Sequence, residues 1–229
     1  MNTPVLKILY EDNHLLVVNK PSMLPTMGTP GGCPTLLSLA KQYVKQRYNK
    51  PGNVYLGVMS RLDAPVSGVV LLARTSKAAK RMTEQFRTHA VDKLYWALVE
   101  GTVRPASGAL VDWVGHDERH RRMHVVGPTL PGAKEARLSY KLISTLEGCS
   151  WLEVRLETGR KHQIRLQLSH HGNPIVGDRK YGGRASFPHG IALHARRLCV
   201  SHPTTGAALE FEAPPPDAWR RFDTKLDFT

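Results

Sequence analysis

Short apolar segments with the patterns of β-strands recur along the whole chain, and they constrain the fold more than any other feature. Some are compact apolar runs and others alternate residue by residue. In the clearest alternating segment, Leu152 and Val154 are predicted to face inward and Trp151 outward. The predicted strands are "HLLVVNKP" (14–21), "NVYLGVM" (53–59), "GVVLLAR" (68–74), "KLYWALVEG" (93–101) and "WLEVRLETG" (151–159).

Three other segments have the spacing of amphipathic helices. "PTLLSLAKQYVKQRY" (34–48) has Pro near its start, and "HQIRLQLSHHG" (162–172) ends at a glycine. A helix opening at Ser76 is predicted to present one apolar face. That face consists of Ala79, Met82, Phe86 and Ala90. Strands in mixed order with about three helices predict an α+β fold around a large sheet.

The composition indicates one globular unit over residues 1–229 that acts in a reducing compartment. The chain is 41% hydrophobic, and its longest apolar run, "VVLLA" (69–73), is far too short to cross a bilayer. The first residues lack the pattern of a secretory signal. Three widely spaced cysteines without a CxxC pair favour the cytoplasm over a disulfide framework or a zinc module. No segment resembles a dimer seam, so a monomer is predicted.

Charge points to the partner. The chain has 32 Lys or Arg and 19 Asp or Glu, a formal net charge of +13 at pH 7. Such a field favours polyanions, and nucleic acid is the commonest polyanion in a cytoplasm. A soluble basic protein without a nucleic-acid partner would have the same composition.

One acid stands alone in a long basic stretch. Between Asp12 and Glu84 the sole carboxylate is Asp63, whereas the same stretch has ten Lys or Arg. Because nearby cations keep a carboxylate ionised, Asp63 could serve as a nucleophile on a loop between two strands. Aspartate before Ala-Pro-Val-Ser-Gly is also a good turn residue, and the sequence pattern leaves both readings open.

Two further clusters could bind ligands. In residues 157–183, basic side chains crowd the start of the third helix, where cations and backbone N–H groups can bind a phosphate or a carboxylate. A helix start that is basic by chance is the alternative. His116, His120 and His124 are four residues apart and could form a metal-binding helix face, although a basic hairpin fits the flanking residues better. No metal is predicted.

Five blocks together resemble the RluA-type pseudouridine synthases, which isomerise uridine to pseudouridine in ribosomal or transfer RNA. They occur in the family's order and cover nearly the whole chain. The blocks are "YEDNHLLVVNKPSMLPT" (10–26), "SRLDAPVSGVVLLAR" (60–74), "KLYWALVEG" (93–101), "ETGRKHQIRLQL" with "GNPIVGDRKYGG" (157–183) and "LHARRLCVSHPTTGAALEFEAPPPDAW" (193–219). The resemblance implies the pseudouridine synthase catalytic fold, a mixed and largely antiparallel sheet with flanking helices and an RNA-binding cleft, and it implies no cofactor or metal.

The resemblance also implies roles for individual residues. Asp63 matches the family's nucleophile, and Arg61 the arginine that enters the RNA stack when the target nucleotide is flipped out. Tyr95 matches the tyrosine that stacks on the uracil and is a candidate to remove the C5 proton. Arg165 matches the basic partner of the aspartate, and Ile164 the apolar residue beside the base. Three more predicted substrate contacts come from the same motifs: Lys20, Arg160 and His162.

The departures from the family pattern lie outside the proposed nucleophile. Ser60 stands where many members have histidine, Val66 where threonine is common, and Met23 where glycine is usual. The first motif starts at Tyr10, so a stand-alone catalytic domain without an N-terminal S4-like RNA-binding domain is expected. Two other functions fit the charge and the lone acid: an RNA-binding protein without catalysis, and a nucleic-acid N-glycosidase.

Overall fold

The computed structural model of the chain describes residues 6–28, 33–118 and 122–222, and these divide into two compact units. The first unit contains the described residues of 6–92 and 195–217, and the second those of 93–194 and 218–222. Each unit is described by itself below.

The secondary structure elements are numbered in chain order. The strands are β1 (Lys7–Glu11), β2 (Leu15–Lys20), β3 (Gly57–Val58), β4 (Ser67–Ala73), β5 (Asp92–Glu100), β6 (Ser107–Asp117), β7 (Arg122–Val126), β8 (Lys134–Leu146), β9 (Cys149–Leu156), β10 (Leu193–Ser201) and β11 (Ala208–Glu212). The α-helices are α1 (Leu36–Arg47), α2 (Ser76–Arg87) and α3 (Gln163–His170). Two 3-10 helices span Arg179–Tyr181 and Asp217–Phe222.

The first unit is built on the strand order β1-β2-β4-β10, with β3 pairing with β4 and β11 with β10. The predicted apolar runs form β2 and β4, which pair antiparallel with Leu16 opposite Leu72. Every residue of β4 is buried, as expected for a strand covered on both faces. The core of this unit contains Leu15, Val17, Val69, Leu71, Met82, Val91, Leu198, Val200, Phe211 and Ala213.

Polar caps define where the helices of the first unit begin. At α1, the Thr35 hydroxyl accepts from the Ser38 N–H at 3.1 Å, and the Ser38 hydroxyl accepts from the Thr35 N–H at 2.9 Å, which makes a capping box. Helix α2 is capped by Thr75. It ends at Arg87, so the prediction that Ala90 belongs to its apolar face is wrong: Ala90 lies beyond the helix and is exposed.

The second unit is built on the strand order β5-β9-β8-β6-β7. Its neighbouring strands pair antiparallel, and Tyr95 lies opposite Val154. The predicted outward position of Trp151 is wrong, because its side chain is fully buried. Its ring lies 5.3 Å from that of Trp96 and 5.4 Å from that of Trp219, so aromatic side chains cover this end of the sheet face that periodicity assigned to solvent.

Helix α3 forms as its spacing predicted and stops before Gly172, whose φ of +89° suits the left-handed turn after a helix. The Gln167 amide of this helix donates to Asp112 at 2.7 Å and to the Ala136 carbonyl at 3.1 Å, which ties α3 to the sheet. Strands and helices of these kinds confirm the predicted α+β class with a largely antiparallel sheet.

The histidine cluster lies on a hairpin. His116 belongs to β6 and His124 to β7, and the two strands pair antiparallel, so the helical spacing that a metal face requires does not exist there. His120 lies outside the described residues. Within residues 6–28, 33–118 and 122–222, no three His, Cys, Asp or Glu side chains are grouped so as to hold a metal ion. None of the helices in these ranges is long and apolar enough to span a membrane.

A glycine at the start of β4 is required by a close backbone contact. Gly68 has a φ of +118°, and a Cβ at this position would lie 2.2 Å from the carbonyl oxygen of Ala195 in β10. Only a residue without a side chain allows the two backbones to approach so closely. Glycine at position 68 is therefore required by packing.

The segment after β2 contains a methionine in an unfavourable backbone conformation. Met23 has a φ of +64°, and its side chain is 64% exposed. The left-handed region costs a non-glycine residue roughly 1–2 kcal/mol. This conformation explains why glycine is usual at the corresponding family position.

We expect Met23→Gly to raise the free energy of unfolding by about 0.5–1 kcal/mol, because the relief of backbone strain exceeds the extra entropy of glycine in the unfolded chain. Urea unfolding measures the change. Met27→Gly is the matched control: Met27 is 43% exposed and lies outside the left-handed region, so glycine there should lower stability. A lower stability of Met23→Gly would contradict the strain argument.

Candidate active site

The loop between β3 and β4, residues 59–66, presents the lone carboxylate of the basic stretch. Its first residues are tied to β4, because the Met59 N–H donates to the Leu71 carbonyl at 3.0 Å and the Ser60 hydroxyl accepts from the Leu71 N–H at 3.0 Å. At its end, the Val66 N–H donates to the Asp63 carbonyl at 3.0 Å and closes a turn. Both readings of Asp63 thus remain compatible with this geometry, since the residue starts a turn on a well-anchored loop.

The side chains of this loop, called the Asp63 loop below, differ in exposure. Leu62 and Val66 are buried, whereas Arg61 is exposed and Asp63 is half-buried. The Thr26 hydroxyl clamps the middle of the loop, since it donates to the Leu62 carbonyl at 2.7 Å and accepts from the Leu62 N–H at 3.2 Å. Arg61 and Asp63 are therefore presented from a backbone that is fixed on both sides.

Lys20, predicted to contact substrate, lies beneath this loop and is completely buried. Its ammonium donates to three backbone carbonyls, those of Pro21 at 2.8 Å, Leu24 at 2.7 Å and Ala64 at 3.2 Å. An ammonium has three N–H donors, and these contacts use all of them. The prediction for Lys20 is corrected accordingly: the side chain supports the Asp63 loop from inside rather than reaching out to RNA.

Burial has a large electrostatic effect on Lys20. Desolvation of its ammonium lowers the pKa of Lys20 from 10.5 to about 7, and the negative charge of Asp63 opposes this shift. The opposing influence of Asp63 indicates that the two charged groups attract each other within the first unit. A buried cation thus lies under the carboxylate that the sequence singled out.

Arg165 in the second unit is the best-anchored of the predicted site residues. Its guanidinium binds the Asp178 carboxylate through two hydrogen bonds, Nε to Oδ2 at 2.7 Å and Nη2 to Oδ1 at 2.9 Å. The side chains are only 7% and 1% exposed, respectively. The Arg165 Cζ also lies 5.1 Å from the centroid of the Tyr181 ring.

The turn that precedes α3 is held by Thr158 and Gln163. The Thr158 hydroxyl donates to the Gln163 side-chain oxygen at 2.7 Å, and the Arg160 N–H donates to the same oxygen at 2.9 Å. The Gln163 amide donates to the Arg137 carbonyl of β8 at 2.9 Å. The Thr-Gly-Arg-Lys-His-Gln stretch therefore folds as a closed turn that fixes the start of α3.

The other predicted substrate contacts of this turn differ in exposure. Arg160 is exposed, and its Nε donates to the Glu135 carbonyl at 2.8 Å. His162 is half-buried in the left-handed conformation, with a φ of +55°, and its Nδ1 lies 2.7 Å from the Tyr181 hydroxyl. Ile164 is buried, at 4% exposure. Tyr95, on β5, is half-buried.

The structure thus places the predicted residues in two sets. Lys20, Arg61 and Asp63 come together in the first unit. The second unit holds a set around α3 and, on β5, Tyr95. The members of the α3 set are Arg160, His162, Ile164 and Arg165.

Sequence reasoning missed the polar residues that support these sets, namely Thr26, Thr158, Gln163, Asp178 and Tyr181. The stretch "GNPIVGDRKYGG" carried a signal for one of them. Asp178 is the single acid of this stretch and is followed by the basic residues Arg179, Lys180 and Arg184. A lone acid among basic residues is also the pattern around Asp63.

Comparison with known protein families and curated proteins gives consistent matches. The family model described as RNA pseudouridylate synthase matches residues 14–170. The chain is 35% identical to ribosomal large subunit pseudouridine synthase D of Pseudomonas aeruginosa, over 93% of this chain and 69% of that protein. It is 34% identical to an uncharacterized RNA pseudouridine synthase of Bacillus subtilis, over 93% of this chain and 70% of that protein.

Solved structures show the same likeness. Human RNA pseudouridylate synthase domain containing 4 superposes with a TM-score of 0.77 at 25% identity, over 94% of this chain and 92% of that one. Human RNA pseudouridylate synthase domain containing 1 gives a TM-score of 0.74 at 28% identity, over 94% and 87% of the two chains.

We expect the free energy of unfolding to rise by about 1–2 kcal/mol between about pH 7 and pH 9, because Lys20 loses its proton at lower pH in the folded protein than in the unfolded chain. Because the pKa of Lys20 is about 7 in the folded protein and 10.5 as the ordinary value, the unfolded chain binds more protons in this window. Urea unfolding across the pH range measures the slope.

Lys20→Met should flatten that slope, whatever its effect on absolute stability. Lys77→Met is the control, because Lys77 is exposed on α2 and its removal should leave the slope as in the wild type. Equal slopes in the wild type and Lys20→Met would mean that the buried ammonium keeps its proton throughout the window.

Proposed function

This chain belongs to the RNA pseudouridylate synthase family, and on that premise we propose that it isomerises uridine in structured RNA with Asp63 as the nucleophile. The observation that carries the proposal is the construction of the Asp63 loop. The loop presents a single half-buried carboxylate, and its backbone and the Ser60 side chain are held by bonds to Leu71, Thr26 and the buried Lys20. The net reaction breaks the bond between uracil N1 and ribose C1′ and forms one between C5 and C1′, while C5 loses a proton and N1 gains one.

The environment of Asp63 suits nucleophilic attack. The ammonium of Lys20 donates to the Ala64 carbonyl next to Asp63, so a positive charge lies close to the proposed nucleophile, whose reactive form is the carboxylate. A loop with fixed backbone holds the carboxylate in one orientation, so little reorganisation is needed when the substrate binds. Uracil can depart as a delocalised anion, so the reaction does not require the second carboxylate that glycosidases use.

Arg61 is the proposed lever for base flipping. A uridine inside a stacked helix is inaccessible, and enzymes that act on such bases extrude the nucleotide and fill the gap with a side chain. Arg61 is exposed and lies two residues before Asp63 on the same anchored loop. A guanidinium can stack on bases and bind phosphate, so it suits a position between the nucleotide and the rest of the RNA.

Residues of the second unit are proposed to act in the same reaction, in the roles of the motifs that they match. Tyr95 stacks on the detached uracil and removes the C5 proton, Ile164 offers an apolar contact to the base, and Arg165 matches the basic partner of the nucleophile. The exposed Arg160 and the half-buried His162 contact the RNA beside them. These roles rest on the matched motifs, and the exposure of the five side chains is compatible with them.

Ribosomal RNA is the proposed substrate class. Several curated relatives, including those of Pseudomonas aeruginosa and Xanthomonas campestris, are named ribosomal large subunit pseudouridine synthase D. We expect a transcriptome-wide pseudouridine map to lose one or a few rRNA positions when the protein is absent. Loss confined to transfer RNA would assign the other substrate class.

We expect Asp63→Asn to abolish tritium release from RNA that carries C5-tritiated uridine, with at least a 1,000-fold loss of rate, because the amide is no nucleophile. RNA affinity should change little. Glu212→Gln is the control: it removes one negative charge from an exposed side chain of β11 that pairs with Arg196. Its rate should equal that of the wild type.

Two outcomes would favour the other functions. Undiminished turnover of Asp63→Asn would show that Asp63 is a turn residue and not the nucleophile. Release of free uracil without tritium exchange would identify an N-glycosidase, whereas binding of RNA with neither product would identify an RNA-binding protein without catalysis.

A further inference from the structure

A buried cluster in the second unit surrounds the Arg165 guanidinium with groups that the matched motifs do not explain. Asp178 binds one edge of the guanidinium through Nε and Nη2, at 2.7 and 2.9 Å. The Tyr181 ring lies 5.1 Å from Cζ. The Tyr181 hydroxyl lies 2.7 Å from His162 Nδ1 and accepts from the Met123 N–H at 3.2 Å.

The contacts with Asp178 and Tyr181 restrict how the Arg165 guanidinium can turn. A guanidinium is a rigid plane with donors along its edges, and a bidentate carboxylate fixes its direction within that plane. The aromatic ring fixes the plane itself by lying near the cation. Since Asp178 uses the edge with Nε and Nη2, the Nη1 end of the guanidinium is the end that Asp178 leaves for other partners.

The hydroxyl of Tyr181 holds the ring in place. A phenol has one O–H donor, so an oxygen that accepts from the Met123 N–H can donate that hydrogen to His162 Nδ1. The Tyr181 side chain thereby links β7 to His162, the N-cap residue of α3. The backbone N–H of Tyr181 donates to the Asp178 carbonyl at 3.1 Å. One tyrosine therefore couples the turn before α3 to the loop that carries Asp178.

The Asp178 loop is itself held in one shape. The Asp178 N–H donates to the Ile175 carbonyl at 3.0 Å, and the Gly183 N–H donates to the Asp178 carbonyl at 2.9 Å. A Cβ at Gly183 would lie 2.5 Å from the Ile175 carbonyl oxygen, so the loop closes tightly because this residue has no side chain. Asp178 is thus presented from a compact turn.

Stability alone does not account for this pair. The two charges are almost completely buried, and a buried ion pair is often no more stable than apolar side chains of the same volume. Holding a reacting group in one fixed orientation is a use that apolar side chains could not serve. This reasoning favours a role in positioning.

We propose that Asp178 is a positioning residue for Arg165, with Tyr181 restricting the plane of the guanidinium, so that Arg165 acts on the reacting nucleotide in one orientation. The proposal rests on the proposed function, in which Arg165 acts in the isomerisation. It assigns a role to the acid and the tyrosine of "GDRKYGG" that neither the charge pattern nor the matched motifs supplied.

The test compares Asp178→Asn with Asp112→Asn in single-turnover tritium release. Asp112 is also a buried carboxylate of the second unit bound to α3, where it accepts from Gln167 at 2.7 Å, but it does not contact Arg165. We expect Asp178→Asn to lower the rate constant about 100-fold with unchanged RNA affinity, because misplacing a reacting group by about 1 Å has an effect of that order. Asp112→Asn should stay within about threefold of the wild type.

Asp178→Glu separates positioning from charge and keeps the test valid if Asp178→Asn fails to fold. Glutamate preserves the buried ion pair but shifts the carboxylate by one methylene group. Positioning predicts a folded protein that remains at least about tenfold slower than the wild type. A wild-type rate in Asp178→Glu, or equal losses in Asp178→Asn and Asp112→Asn, would reduce Asp178 to a structural role and overturn the proposal.

A second readout does not depend on catalysis. The protein is labelled with nitrogen-15 arginine, and hydrogen exchange of the Arg165 Nε–H with solvent is measured. This exchange should be slow in the wild type and in Asp112→Asn. It should be at least about tenfold faster in Asp178→Asn, because the substitution weakens the acceptor of this N–H. Unchanged exchange would overturn the positioning role. A wild-type protein that releases no tritium, but shows this exchange pattern, would refute the proposed function and leave the orientation of Arg165 by Asp178 established.

Discussion

The burial of the Lys20 ammonium is the constraint on which the Asp63 loop depends. A cation removed from water must be compensated, and here three backbone carbonyls of two segments compensate it. Because one of these carbonyls belongs to Ala64, the lysine cannot be satisfied unless the loop adopts its observed course. The Thr26 hydroxyl adds a second clamp at Leu62, so the residue between these anchors, Asp63, is held by its neighbours on both sides.

Each unit uses a buried cation, and the two cations are bound in different ways that suit their chemistry. The compact ammonium of Lys20 donates to backbone carbonyl oxygens and so fixes the backbone around it. The planar guanidinium of Arg165 binds a carboxylate through two parallel hydrogen bonds, which orient its side chain. The first arrangement fixes where a loop lies. The second fixes how a side chain is turned.

Local patterns were sufficient to predict β2, β4, β5, β9 and the three α-helices, because each carries its own periodicity. The remaining long strands, β6, β8 and β10, were not predicted. The errors arose where distant residues decide. Trp151 alternates as an outward residue but is covered by Trp219, which lies far along the chain. Lys20 looked like a surface cation because its three acceptors come from loops, and Asp178 became informative once folding had placed it against Arg165. Asp63 and its neighbours were recognisable because the motif is contiguous.

The course of the chain has a consequence for its synthesis on the ribosome. Phe211 completes the core of the first unit, and Trp219 packs on Trp151 in the second. Both hydrophobic cores therefore stay incomplete in a nascent polypeptide until residues 208–219 have left the ribosomal exit tunnel. During that interval β2 and β4 can pair with each other while part of their apolar surface lacks its final cover, and a chaperone can bind it.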